Sequence, residues 1–353
     1  MVYKVGSFTL ECINCKSKKA INTQKFTFSK KELKKYHSIH PITQEIDCPS
    51  CGANNIFKEF ELSKRCSYCK APLIIQAQND ISINALLPFE IDRVKAQKIF
   101  KNWLGNLWFA PNALKKLLDF EHQFKGVYLP FFSFDSQTFS NYIGARGDAY
   151  YVQVQKEVII DGKAQIVTEL ERRIAWSNVE GRVYRDFNNI LVEAQKEKNL
   201  AKWMKNYDLN LLVSFNPAFL SGFESVEYSI EPDIAFLQAK EYMKQIIYKD
   251  VLQDIGGDEQ RVYDIQSYFN NNKFELYMLP CYISSYKYKN KEYQVVINGA
   301  TGEIIGNRPY SYVKIILLVI IIGVILASLF YLDERFDNET TNNYRFNLPT
   351  TRY

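Results

Sequence analysis

The chain has 353 residues, 47% of them hydrophobic and 15% aromatic, and a net charge of +5. This is enough apolar material for a core of about two domains, which excludes a disordered or low-complexity protein. The charge is uneven: residues 1–75 hold thirteen Lys and Arg against six Asp and Glu, a net +7, which leaves −2 for the rest and marks a basic head suited to nucleic acid, anionic lipid, an acidic protein or plain solvation.

Seven cysteines are present, and six form three CxxC pairs: Cys12/Cys15, Cys48/Cys51 and Cys66/Cys69. The N-terminus, MVYKVGSFTLECINC, lacks the apolar stretch of a signal peptide. Paired spacing in such a chain points to metal in a reducing compartment rather than to disulfides.

Taken in order, Cys12-Ile-Asn-Cys15 has the form of a metal knuckle but no second CxxC at ribbon distance. His37 and His40 are the nearest other ligand types, giving C-x2-C-x21-H-x2-H, with a long gap and a short His spacing. Three readings stand: a Cys2His2 zinc site on Cys12, Cys15, His37 and His40, a decayed ribbon, or a redox or shared-metal pair. The Lys30–Lys35 run between them reads as an exposed helix. Cys48, Cys51, Cys66 and Cys69 follow as C-x2-C-x14-C-x2-C. Two short turns each offer two thiolates and the intervening hairpin brings them together, which is the arrangement of a structural zinc ribbon. Gly52 suits the turn, and Asn54 to Leu62 fits the ribbon's strands.

Residues 77–90 show no strong periodicity and read as a linker. Asp92 then caps a helix with Ala96, Ile99, Phe100, Trp103 and Leu107 on one face. A short helix is expected from Pro111 to about Asp119. Gly126 to Phe134 is apolar and β-prone, and Pro130 argues for a sheet edge or bulge. Tyr150–Ile160 and Ala164–Trp176 flank Asp161-Gly162, a hairpin signal. Glu193–Tyr207 looks helical. A long helix should start at Pro232, bury Phe236, Ala239, Met243, Ile246 and Ile247, and stop before Gly256-Gly257. Strands over Glu275–Tyr288, Tyr293–Ile297 and Glu303–Ile305 complete the body. Val127-Tyr-Leu-Pro-Phe-Phe and Tyr277-Met-Leu-Pro-Cys-Tyr echo one another, with Phe215-Asn-Pro-Ala-Phe as a looser copy, which suggests a repeated helix-then-strand unit.

From Ile315 to Leu332 the sequence reads IILLVIIIGVILASLFYL, eighteen residues without charge. At about 1.5 Å per residue it matches the hydrocarbon thickness of a bilayer. Tyr312 and Tyr331 sit at interfacial positions; Arg308 and Lys314 precede the span, and Asp333, Glu334 and Asp337 follow it, so the positive-inside rule keeps the body in the cytoplasm.

No phosphate-cradling G-x-x-x-x-G-K-[ST], nucleophile elbow or H-E-x-x-H occurs. His122 reads as a surface residue and Cys281 as a buried core thiol. Asp254-Ile-Gly-Gly-Asp258-Glu259 could hold Mg²⁺ or Ca²⁺, although a helix end followed by a turn also explains its glycines.

Several runs together carry a resemblance: LLPFEIDRVKAQKIFKNWLGNLWFAPNALKK, GVYLPFFSFDSQT, YIGARGDAYY, DIGGDEQRV and YQVVINGATGEIIGNRPYS. They resemble a bacterial family of membrane-anchored zinc-ribbon proteins commonly labelled primosomal protein N′ (replication factor Y), superfamily II helicase. The helicase label does not carry over, since this chain has no nucleotide-binding loop. The family has two complete ribbons; here the second is complete, while the region of Phe28 to Lys31 lacks the first ribbon's second cysteine pair. The resemblance further implies membrane-stress proteins of the phage-shock type as a partner class.

The expectation is an α+β protein: a partial ribbon over 1–45, a zinc ribbon over 46–76, a linker over 77–90, a mixed helix and antiparallel-sheet cytoplasmic body over 91–311, a transmembrane helix over 312–332, and a short exported tail over 333–353. It would bind one Zn²⁺, with a second at the Cys12 knuckle as the open alternative. The expected function is a non-enzymatic adaptor that recruits a cytoplasmic protein to the inner face of the cell membrane. The alternatives are a membrane-attached nucleic-acid binder and an enzyme with an unrecognised site.

Overall fold

The computed structural model describes residues 1–111, 114, 124–160, 163–196, 204 and 206–345. The expected helix from Pro111 to Asp119, His122, the Asp161-Gly162 turn and most of Glu193–Tyr207 lie outside these residues. In the N-terminal third run β1 (Val2–Lys4), β2 (Thr9–Glu11), β3 (Lys18–Ala20), β4 (Lys31–Glu32), β5 (Gln44–Asp47), β6 (Asn54–Phe57), β7 (Glu61–Arg65), β8 (Pro72–Ile74) and β9 (Ala85–Leu86). The body follows with α1 (Arg93–Gly105), β10 (Lys125–Ile160), β11 (Lys163–Glu193), β12 (Val213–Ser214), β13 (Glu224–Val226), α2 (Pro232–Ile255), β14 (Glu259–Tyr288), β15 (Lys291–Asn298), β16 (Ile304–Gly306) and α3 (Tyr312–Arg345). The result is the expected mixed α+β architecture. Strands β1 to β3 form one antiparallel sheet, β5 and β6 a ribbon, and the remaining strands an 11-stranded sheet centred on β14 and β10.

The two central strands are antiparallel, and Leu129 lies directly opposite Leu279. The paired Leu-Pro motifs therefore face each other at the middle of the sheet. Each unit consists of a short strand, a helix and a long hairpin. The short strand of each pairs in parallel with the long strand of the other: β9 with β14 and β13 with β10. The repeated unit seen in the sequence is thus a pair of interlocked halves. The Phe215 segment is not a third copy, because Pro217–Leu220 forms a 3-10 turn.

Pro130 sits in a central strand, contrary to the edge expected. Along β10 the neighbour opposite β14 changes from β13, at Val127 and Tyr128, to β11, from Phe131 onward. The residue without an N–H occupies the changeover, where no ladder bond needs it. Around it Tyr128, Phe131, Phe132 and Phe134 are fully buried, because both faces of the sheet are covered.

Helix α1 begins as read, with the Lys95 amide donating to Asp92 Oδ1 at 2.7 Å, and buries Ala96, Phe100 and Leu104. Helix α2 buries Phe236, Ala239, Met243 and Ile247 against Phe132, Phe134 and Tyr142, and stops before Gly256.

Two expectations for the N-terminal half are corrected. The Lys30–Lys35 run is not a helix: Lys31 and Glu32 pair with Phe274 and Lys273 at a sheet edge. The cause is Lys30, whose buried ammonium donates to Asp135 Oδ1 (2.5 Å), Asn189 Oδ1 (2.6 Å) and Ser133 Oγ (3.3 Å). A buried charge with three acceptors fixes the chain in an extended path. Residues 77–90 are not a spacer either, since Ala85, Leu86, Leu87 and Phe89 are among the most buried residues of the chain. The ribbon region is also joined to the body, because β7 pairs with β13.

β14 starts at Glu259, well before the expected Glu275, and pairs with β10 down to Gly147. Beyond that point β10 and β11 continue alone as a two-stranded arm, from Asp148↔Ala175 to Ile160↔Lys163. Helix α3 contains one window, Tyr312–Leu329, that is long and apolar enough to cross a membrane, and none of that window is buried.

Candidate metal centre

The site is built from two turns of the same geometry. At the first, the Cys48 amide donates to Ala53 O (2.9 Å) and the Gly52 amide donates to Cys48 O (2.8 Å). At the second, Cys66 N donates to Ala71 O (2.8 Å) and Lys70 N to Cys66 O (3.1 Å). Each turn needs a left-handed residue after its second cysteine: Gly52 at φ 72° and Lys70 at φ 62°. Glycine takes this conformation freely, whereas a lysine there costs about 1 kcal/mol.

Each turn closes its own hairpin, β5–β6 around Cys48 and Cys51 and β7–β8 around Cys66 and Cys69, and the two hairpins set the turns against one another. Cys48 Sγ lies 3.6 Å from Cys69 Sγ, and Cys51 Sγ lies 3.8 Å from Cys66 Sγ. All four sulfurs fall within 4.8 Å of one another. A tetrahedron of Zn–S bonds near 2.3 Å has sulfurs about 3.8 Å apart, so the donor set fits one metal ion of that size. Cys48 and Cys66 are buried over Phe57 and Leu73, while Cys51 and Cys69 face solvent.

The four thiols do not share charge evenly. Burial pushes the Cys66 thiol up, but the amides of Cys69 and Tyr68 and the Asn55 side chain outweigh it and bring it down to about 6. The Ala53 amide favours the Cys51 thiolate, yet the neighbouring cysteines and burial raise that thiol to about 11. The Ala71 amide lowers Cys69. Holding all four as thiolates in this space would require a cation.

Sequence reasoning missed Asn55. It is buried and donates from Nδ2 to Ala53 O (2.7 Å) and to Cys66 Sγ (3.4 Å), while its Oδ1 accepts from Ser67 N (3.0 Å). One side chain thus ties both knuckles together. The available signal was a polar residue at an inward position of a strand whose burial alternates.

Cys12 and Cys15 form a third knuckle of the same build. Cys12 N donates to Ser17 O (2.9 Å), Lys16 N donates to Cys12 O (3.1 Å), and Lys16 has φ 59°. The Ser17 hydroxyl, 3.1 Å from Cys15 Sγ, and then the Ser17 amide bring the Cys15 thiol down to about 7. The histidines are elsewhere: His40 Nε2 lies 3.2 Å from Asp80 Oδ1, and His37 is exposed. Cys12, Cys15, His37 and His40 are therefore not brought together. Among the described residues the four-cysteine cluster is the one group of three or more such side chains within reach of a single ion.

The acidic cluster in the body is dispersed. Asp254 accepts from Tyr142 OH, Asp258 from Ala149 N, and Glu259 pairs with Arg172. Cys281 is fully buried, and burial raises its thiol well above the usual range, which removes it as a nucleophile.

Fold and site together fit an α+β metal-binding protein, with a four-cysteine cluster that could hold one ion and a C-terminal helix long and apolar enough to span a membrane. The chain is similar to the uncharacterized protein YdjG of Bacillus subtilis strain 168, at 24% identity over 233 residues, which is 65% of this chain and 64% of YdjG. The match thus spans less than two thirds of YdjG. No protein-family model matches the chain, and no solved structure matches it. The four-cysteine cluster is compatible with the expected zinc ribbon, but none of these comparisons supports membership of the N′-labelled family.

Proposed function

We propose that the chain is a non-enzymatic, membrane-tethered zinc-ribbon scaffold that holds a cytoplasmic protein partner at the inner face of the cell membrane. Zinc is the assigned ion because four thiolates at tetrahedral spacing close its coordination sphere and leave no position for a reactive water. The tether is the apolar window of α3, about 27 Å long at 1.5 Å per residue. Basic residues before the span and acidic residues after it favour a cytoplasmic body.

The observation that carries the scaffold reading is the β10–β11 arm. Ile159 and Ile166, 76% and 71% exposed, lie on one face with Leu170; Val158 and Val167 lie on the other. A two-stranded ribbon is marginal in water, and apolar residues on both faces gain stability only when something covers them.

The test places a photo-crosslinking residue at Ile166 in the full-length protein in bacterial membranes. A discrete protein adduct is expected there, lost on Ile159→Lys and absent with the probe at Lys244 on the exposed side of α2. No arm adduct, in protein that resists carbonate extraction, would end the scaffold reading. Release by carbonate would end the tether.

A further inference from the structure

Where the chain enters the apolar helix, the body presents an unusual rim. Trp108 and Tyr312 are 78% and 80% exposed, and Tyr310 is more than half exposed. These large aromatics stand out where no core covers them. The rim is held firmly to the helix. Ser311 N donates to Phe109 O (2.7 Å), and the Lys314 ammonium donates to Trp108 O (3.1 Å) and Ala110 O (2.8 Å). The first turn of α3 is therefore clamped to the segment after α1.

The β14–β15 hairpin reaches the same end of the molecule. β16 runs antiparallel to β15, so the chain leaving Gly306 heads toward that hairpin's tip. Asn307 N donates to Gln294 O (3.0 Å), and Tyr286 OH donates to Asn307 O (2.9 Å). The tip carries Lys287, Lys289 and Lys291, all exposed. Lys287 faces Glu292 across the ladder, but among the described residues neither Lys289, Lys291 nor Arg308 belongs to an ion pair. Lys289 and Asn290 make the turn with φ 48° and 61°. Asparagine and glycine are the residues that take such angles cheaply, and a lysine placed there is held outward. Arg308 lies over the Tyr310 ring at 5.2 Å and Lys289 near the Tyr288 ring at 5.9 Å, so the cations interleave with aromatics.

We propose that this rim is a seat for anionic lipid headgroups, with Trp108, Tyr310 and Tyr312 at the interface and Lys289, Lys291 and Arg308 over the phosphates. The inference rests on α3 spanning the bilayer. It adds that the body lies directly on the membrane and distinguishes anionic from zwitterionic surfaces. Trp and Tyr favour the headgroup level, and lysines near an anionic leaflet are attracted within a Debye length. The clamp at Lys314 makes the seat rigid, so its residues approach the surface together.

The experiment uses the full-length protein in phosphatidylcholine vesicles with and without phosphatidylglycerol. Tryptic cleavage at Lys289 and Lys291 should slow in the anionic vesicles by about fivefold per lysine, and recover in high salt. Lipids brominated near the headgroup should quench a tryptophan signal that Trp108→Phe removes, and Lys289→Glu/Lys291→Glu should make that quenching equal in both vesicles. Carbonate resistance should stay unchanged in every variant. Equal cleavage in both vesicles, or a Trp108 signal that no brominated lipid quenches, would overturn the seat while the protein stays anchored. Loss of anchoring itself would instead overturn the spanning helix.

Discussion

Asn55→Ala tests whether the metal centre depends on the residue that links its two halves. The substitution removes three contacts: the donor bonds to Ala53 O and Cys66 Sγ, and the acceptor for Ser67 N. The bond to sulfur is charge-assisted when Cys66 is a thiolate and is worth about 1.5–3 kcal/mol. Cys66 is buried, whereas the bonds to Ala53 O and Ser67 N are only part-buried, so water recovers some of those two. Without Asn55 the Cys66 thiolate loses a stabilising donor and the two knuckles lose their tie, so the loss should appear mainly in metal affinity, as a fall of roughly 10- to 100-fold. Asn55→Asp keeps the shape but replaces the donor with a negative oxygen beside four sulfurs, and should lose more. The assay is a competition titration of zinc between full-length protein in detergent and a chelating indicator, with thermal melts of the loaded protein alongside. An Asn55→Ala affinity within about twofold of wild type would refute the linking role, given the range expected for such neighbours.

Elemental analysis should find one zinc per chain, lost on Cys48→Ser/Cys51→Ser and unchanged on Cys12→Ser/Cys15→Ser; a second equivalent that disappears with Cys12 would revive the first knuckle as a metal site. Gly299→Ala should lower stability by about 1–3 kcal/mol, seen as a reduced melting temperature, because an added Cβ would sit 2.4 Å from the Phe89 ring and 2.9 Å from Pro280. Burial raises the phenols of Tyr142, Tyr228 and Tyr286 to about 12. A raised folded pKa contributes stability below the ordinary tyrosine value near 10 and loses it as pH climbs through about 12, so phenolate absorbance from these residues should rise together with loss of ellipticity in that window. Binding of the full-length protein to single-stranded DNA or RNA should be no tighter than about 10⁻⁴ to 10⁻⁶ M at physiological salt, the non-specific range; nanomolar, salt-resistant binding that falls on Tyr68→Ala would favour the nucleic-acid alternative, since Tyr68 is an exposed ring available for stacking.

The metal centre was legible because its chemistry is local. CxxC spacing and a turn residue such as Gly52 state the geometry within a few positions. Both long helices were legible for the same reason, through caps and apolar period. What sequence could not supply came from distant partners. Leu86 and Phe89 look like a linker, yet β9 is inserted beside β14, far along the chain. Lys30 reads as the start of a solvated basic helix until Asp135 and Asn189 are placed around it. The early part of β14, with its alternating polar and aromatic residues, lacked the apolar run that marked the later part, since only the later part is covered on both faces.

The unbroken course of β14 also sets a length. One end of the strand lies at the hairpin beside the apolar helix, and the other at Glu259, where the arm departs. Thirty residues at about 3.3 Å, and some thirteen more along the arm, give a contour of at most about 140 Å from the hairpin to the tip, which on the proposed tether is the distance from the bilayer. That is several times the thickness of the membrane's hydrocarbon layer. On the scaffold reading, a protein that meets the tip would be held at a stand-off set by strand rise and by the two register shifts of the β10–β14 ladder, at Asp135/Gln137 and Ile143/Gly144. Inserting or deleting residue pairs in register in both strands of the arm would move that meeting point in steps of about 6.6 Å while leaving the side chains on the same faces.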